Sequence, residues 1–186
     1  MMELAELKRE LEKLHAASFG WACTCCRGNR ADAEEVLQTV YLKILDGKAR
    51  YGGECELRTW LFAVIRKTAI NEHRKAFVRS LVSVPRTKLF RSDLCLLPDA
   101  EVERSELQTR FRNALQSLPA RQRDTLHLVF YQDLSLREAA KVMGVSIGSV
   151  RQHYERGKKR LRKTLDREEV DYGFDWRRKE NSGAVL

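Results

Sequence analysis

Residues Leu134–Leu161 read LSLREAAKVMGVSIGSVRQHYERGKKRL, and their spacing writes two short helices with a tight turn between them. Ser135 followed three residues later by Glu138 is a capping box, which starts a helix by satisfying two orphan backbone donors. Ala140 occupies a position where a larger side chain would hold the two helices apart. Gly144, four residues on, falls at the turn, where a positive backbone angle is often required. Ser146 is placed to cap the next helix, and Val150 to pack it back onto Ala139 and Met143. A small residue, a glycine and a branched residue at this spacing fit a DNA-reading helix-turn-helix better than a generic helical hairpin.

Charge supports the same reading. From Ser135 to Leu165 nine basic residues stand against only Glu138 and Glu155. Phosphate neutralisation supplies much of the affinity of such a segment and makes it salt-sensitive. Ser149, Arg151, Gln152 and Glu155 fall early in the second helix, where side chains reach major-groove base edges. Arg156, Lys158 and Arg160, further along, are the candidates for holding phosphates. A solvated basic helix packed on another protein would account for the charge but not for the spacing.

The rest of the chain is consistent with a helical protein. At 186 residues it accommodates one ordinary domain or two small ones, and 43% apolar residues suffice for a real core. A net charge of +9 favours a polyanionic partner without choosing among DNA, RNA and an anionic membrane. Residues 32–45 carry the clearest helical period: Ala33, Val36, Leu37, Val40, Tyr41, Ile44 and Leu45 line one face, with Asp32 as expected cap and Glu35 three residues on. Gly52 and Gly53 mark a loop. A second helix is expected from about Arg58 to Lys75, with Trp60, Leu61, Val64, Ile65, Thr68 and Ala69 on its buried stripe. The period fades between Phe77 and Asp99, punctuated by Pro85 and Pro98, and resumes from Glu101 to about Leu165. The expectation is an all-α chain of two small helical domains joined by a flexible linker: residues 1–77, a linker over 78–104, residues 105–165, and a tail over 166–186 read as frayed. The N-terminus lacks the apolar run of a signal peptide and no window reaches membrane-spanning length, so a cytoplasmic location is expected. Five cysteines (Cys23, Cys25, Cys26, Cys55 and Cys95) are then expected as free thiols.

A helix-turn-helix alone leaves repressor, response regulator and initiation factor open. The N-terminal half decides among them. RADAEEVLQTVYLKIL (Arg30–Leu45) followed by RTWLFAVIRKTAINEHRK (Arg58–Lys75) resembles the region-2 pair of extracytoplasmic-function sigma factors. LQSLPARQRDTLHL (Leu115–Leu128), ahead of the helix-turn-helix, resembles the start of their region 4. The resemblance covers roughly residues 5–77 and 105–165. It implies core RNA polymerase and promoter DNA as partners and a role in binding rather than bond-making, so no enzyme is expected. It implies further that Glu34, Glu35, Gln38, Thr39 and Leu42 form the polymerase-docking face. Tyr51, Arg58, Arg66, Lys67, Asn71 and Arg74, with Lys75, would serve the −10 element, with Tyr51 as a platform for an extruded base. The C-terminal helix-turn-helix would take the −35 duplex.

Three positions depart from the family pattern. Lys67 stands where many relatives carry Asn, and Tyr51 replaces the usual Phe. Thr39 stands where relatives commonly have Glu or Asp. A phosphorylated threonine would restore that charge, about −1.5 to −2 with three acceptor oxygens. The wording QTVYLKILDGKARYGG also resembles a sigma-factor subgroup that relies on Ser/Thr kinases, so such a kinase joins the expected partners, with an anti-sigma protein left open. The CxCC of Cys23, Cys25 and Cys26 is not a familiar zinc spacing and has no His close after it. Packing thiols are the reading, with no metal and no cofactor. His15, His73, His127 and His153 form no spaced cluster, and no nucleophile–base constellation appears.

Overall fold

The computed structural model describes residues 4–82, 111 and 113–166. Those residues form helices and turns with no strand among them, the all-α class that the periodicity implies. The chain divides into two compact units, Met1–Pro98 and Asp99–Leu186. No helix among the described residues is long and apolar enough to cross a membrane.

Unit 1 consists of α1 (Leu4–Lys13), α2 (His15–Cys25), α3 (Arg30–Leu45) and α4 (Leu57–Val82). Helices α2, α3 and α4 pack on one another, and α1 lies against α2. The core draws Phe19, Trp21 and Ala22 from α2, Ala33, Val36, Leu37, Val40 and Ile44 from α3, and Leu61, Phe62, Ile65 and Ala69 from α4. Trp21 is fully buried, and its indole N–H donates to the Phe62 carbonyl at 3.0 Å, so its one polar atom is satisfied. Lys43 crosses from α3 to α4, donating to Thr68 Oγ1 at 3.1 Å.

The structure departs from the sequence expectation at several positions. The cap of α3 is Asn29, in an extended conformation, whose side-chain oxygen accepts from the Asp32 amide at 3.1 Å. The helix therefore starts at Arg30 and Asp32 sits inside its first turn. Within α3, Tyr41 is only half-buried and Leu45 is exposed. Within α4, Trp60 and Val64 are half-buried, while Phe62 and Thr59 take the core positions. Helix α4 also continues past Lys75 to Val82, because no Gly or Pro interrupts the chain before Pro85. Phe77 and Val78 broke the apolar period because both are exposed, at 65% and 58%. The stretch assigned to a linker thus begins as helix. Its remainder, residues 83–104, lies outside the described residues, as does the tail from 167. Cys25, Cys26 and Cys55 take part in no disulfide, whereas Cys23 is held in one, against the expectation of five free thiols.

Unit 2 has helical residues at 113–116, then α5 (Ala120–Leu126), which passes into a π-helical turn over His127–Tyr131, then α6 (Leu136–Met143) and α7 (Ile147–Asp166). Its core joins Ala114, Leu115, Leu118, Leu126 and Val129 to Tyr154, Leu161 and Leu165 of α7. The π turn adds a residue to one helical turn and so rotates the face that follows it. His127 within it is buried. Its ring shares a hydrogen bond with Gln132 Nε2 at 3.1 Å and stacks on Tyr131. Burial, and then the charge of Arg123, push the His127 pKa down from 6.5 to about 3.

That imidazole is neutral in the folded chain near neutrality. Between pH 6.5 and about 3 the unfolded chain binds a proton here that the folded chain refuses. Stability should therefore be intact above this window and decline as the pH falls through it. Followed by urea denaturation from about pH 7 to about pH 4, His127 should contribute a slope of up to about 1.4 kcal/mol per pH unit. In His127→Gln the slope should shrink; an unchanged slope would place the proton imbalance elsewhere.

Candidate nucleic-acid and polymerase interface

The helix-turn-helix is built as its spacing implies. Ser135 Oγ accepts from the Glu138 amide at 3.2 Å, and Glu138 Oε2 accepts from the Ser135 amide at 2.7 Å, completing the capping box. Helix α6 ends at Gly144, in the left-handed region with φ +64, a conformation that a side chain would strain. The Val145 amide closes back on the Ala140 carbonyl at 3.2 Å. Ser146 Oγ then accepts from the Ser149 amide at 3.2 Å and starts α7.

One side of α7 is buried through Val150, Tyr154, Gly157, Leu161 and Leu165, at steps of three and four. Gly157 brings α7 close against α5: a Cβ there would lie 3.2 Å from Leu126 Cδ1 and 3.3 Å from Gln122 Cβ. Arg151, Gln152, Glu155 and Arg156 lie exposed on the outward side, continued by Lys159, Arg162 and Lys163. Ser149 is half-buried, with its hydroxyl 3.0 Å from that of Ser146. One of the phosphate candidates, Lys158, turns back toward the protein, whereas Arg160 stays exposed. Arg160 donates to Gln122 Oε1 at 3.4 Å, and Lys158 sits with its ammonium 5.2 Å from the Tyr154 ring centroid. Lys159, Arg162 and Lys163 were not singled out as contacts, although the four-residue step from Arg151 and Glu155 reaches Lys159 and Lys163.

In unit 1, α3 presents Glu34, Glu35, Gln38 and Leu42 outward, with Leu42 60% exposed, while Thr39 is half-buried beside them. Glu34 already has a partner, accepting from Arg30 Nε at 2.9 Å. Glu35 and Asp32 also border a cleft shared with Cys26, Glu72, His73 and Arg79. Burial and these two carboxylates push the Cys26 thiol up to about 12, so it stays protonated and unreactive. No group of three or more His, Cys, Asp or Glu among the described residues is placed to hold a metal ion.

The residues assigned to the −10 element divide into three settings. Lys67, Asn71 and Arg74 are exposed and share one face of α4. Lys75 pairs with Glu72 at 2.9 Å, and Arg66 is half-buried. Arg58 lies apart, half-buried with its guanidinium over the Phe62 ring at 5.5 Å. Tyr51 is half-buried: its hydroxyl donates to the Cys55 carbonyl at 2.6 Å and its ring leans on Trp60, centroids 5.5 Å apart. Trp60, read as core alone, thus belongs to this loop as well.

The sigma-70 region 2 family matches residues 11–77, and the sigma-70 region 4 family matches residues 114–163. The extracytoplasmic-function sigma factor SigX of Bacillus subtilis is 30% identical over 163 residues, covering 84% of each chain. SigL of Mycobacterium tuberculosis is 29% identical over 162 residues, covering 87% of this chain and 90% of SigL. Among solved structures, the sigma factor RpoE of Bartonella quintana, in complex with the anti-sigma factor NepR, has the same fold. Its TM-score is 0.73 at 24% identity, over 88% of this chain and 98% of that one.

The tight seat of Gly157 generates a test. Gly157→Val should push α7 off α5 and cost about 2 kcal/mol in urea denaturation. A cost near zero would mean that the two helices have room to part.

Proposed function

Because the chain belongs to the extracytoplasmic-function sigma factors of the sigma-70 family, we propose a division of labour between its two units. Residues 1–77 dock on core RNA polymerase through Glu34, Glu35, Gln38, Thr39 and Leu42 and take the −10 element on Lys67, Asn71 and Arg74, with Tyr51 offering a ring face to an unstacked base. Residues 105–165 take the −35 duplex on Arg151, Gln152, Glu155 and Arg156. Residues 78–104 tether the two and 166–186 form a tail. Two weak grips on one promoter become a joint one through effective concentration. Sigma factors are initiation factors, and the work assigned here is binding.

The observation that carries this reading is the division of α7 into a fully packed stripe and an outward row of exposed basic and polar side chains. A helix with only a structural duty needs a polar outward face, but not one in which five basic residues (Arg151, Arg156, Lys159, Arg162 and Lys163) face a single Glu155. Arg58 is left out of the DNA contacts because it lies on Phe62. Lys158 takes a lesser part because its ammonium is engaged with Tyr154 inside unit 2, whereas the exposed Arg160 keeps its part as a phosphate contact.

The regulatory step proposed for unit 1 is phosphorylation of Thr39 by a Ser/Thr kinase. Favouring it, Thr39 borders the docking face and Glu34 is partly neutralised by Arg30, so a phosphate would add charge where little is free. RpoE is solved with an anti-sigma factor, and a protein of that kind is the alternative regulator for this chain.

Transcription with purified core polymerase tests both levels. The full chain should support promoter-specific initiation, and Arg156→Ala should weaken binding on all promoters alike while lowering the salt slope by about one. Failure of the chain to bind core polymerase in any modification state would overturn the assignment. Thr39→Glu should transcribe better than Thr39→Ala; equal activities would remove the kinase step and leave the sigma assignment standing.

A further inference from the structure

One acidic side chain stands in the outward row of α7. Glu155 lies between Arg151 and Lys159 at four-residue steps, and its side chain is 64% exposed. On a helix that faces phosphates, a carboxylate is repelled unless it meets hydrogen-bond donors. Its nearest partner is Lys158, whose ammonium lies 3.7 Å from Glu155 Oε1 and whose side chain is only 12% exposed. The same ammonium sits 5.2 Å from the centroid of Tyr154. Tyr154 is buried and stacks on Phe130 at 5.8 Å, so the base of this chain of contacts is fixed in the core of unit 2. Lys158 would have to leave both Tyr154 and Glu155 to reach a phosphate.

Resting on the assignment of α7 to the −35 duplex, we propose that Glu155 is a specificity-determining residue that selects cytosine at one base pair, and that Lys158 is its positioning residue. The choice of base follows from what the major groove offers. Only cytosine N4 and adenine N6 present donors there. Adenine sets its N7 acceptor beside N6, which repels a carboxylate, whereas cytosine presents no acceptor in that groove. Lys158 engages Oε1, which leaves Oε2 for the cytosine amine. The pairing also holds the carboxylate in place before DNA arrives, so less side-chain freedom is lost on binding.

The test is a promoter library randomised across the upstream element and transcribed by core polymerase loaded with the full chain. The wild type should favour cytosine about fivefold or more at one base pair. Glu155→Gln should shift that same position toward adenine, because a carboxamide bonds N6 and N7 together. Lys158→Met, which keeps the apolar stem over Tyr154, should reduce the cytosine preference there while leaving the salt slope unchanged. Thermal unfolding of both variants checks that the fold is intact. Unaltered preferences at every position in Glu155→Gln would overturn the inference. So would a uniform loss of binding with a salt slope lower by about one in Lys158→Met, which would make Lys158 a phosphate ligand. If the wild type showed no preference anywhere in the upstream element, it would be the assignment of α7 to that duplex that failed.

Discussion

The close seating of α7 on α5 and α6 is the constraint on which the DNA-reading half depends. Val150, Tyr154, Leu161 and Leu165 bury one side of a 20-residue helix, and Gly157 allows the approach by carrying no side chain. Once that side is fixed, the directions of Arg151, Gln152, Glu155 and Arg156 follow from helical geometry alone. The caps at Ser135 and Ser146 and the left-handed Gly144 set where the helix begins. Recognition of a duplex needs side chains delivered at fixed angles, and here the packing, not the contacts to DNA, supplies those angles.

Unit 1 meets a different demand, since the function proposed for it requires a protein-facing helix and a nucleic-acid-facing helix in one small bundle. Trp21 joins them at the centre, filling the core and donating to the backbone of α4. The outward surfaces then separate by chemistry. The exposed side of α3 carries carboxylates, an amide and Leu42, whereas α4 carries Lys67, Asn71 and Arg74. The loop between the helices is clipped by Tyr51, which bonds its own backbone and leans on Trp60, so its aromatic surface is ordered by the protein itself.

Much of this could be read from the residues, for physical reasons that differ from place to place. The helix-turn-helix was legible because its caps, turn glycine and branched residue are local signals, each fixed by backbone chemistry within a few positions. Helix α3 was legible through its period. Helix α2 gave no such signal: residues 18–23 are buried in an unbroken run, so the segment lacks the polar face that periodicity needs. Asn29 was missed as a cap because Asp32 offered an equally good local signature, and only packing selects between them. The inward turns of Arg58 and Lys158 lie beyond sequence reasoning for a common reason. A long cationic side chain goes either to water or onto an aromatic ring or amide, and which it does depends on neighbours brought in by the fold.

The stripe that α7 buries leaves Arg151 and Gln152 outside the packed core of unit 2. Substitutions there are nearly free of folding consequences, so promoter preference in a lineage carrying this module can drift while the scaffold stays still. Glu155 is the exception, because its orientation passes through Lys158 to the core residue Tyr154. Changes in that triad should arrive together or be lost, and descendants with a rewired regulon should differ first at the two uncoupled positions.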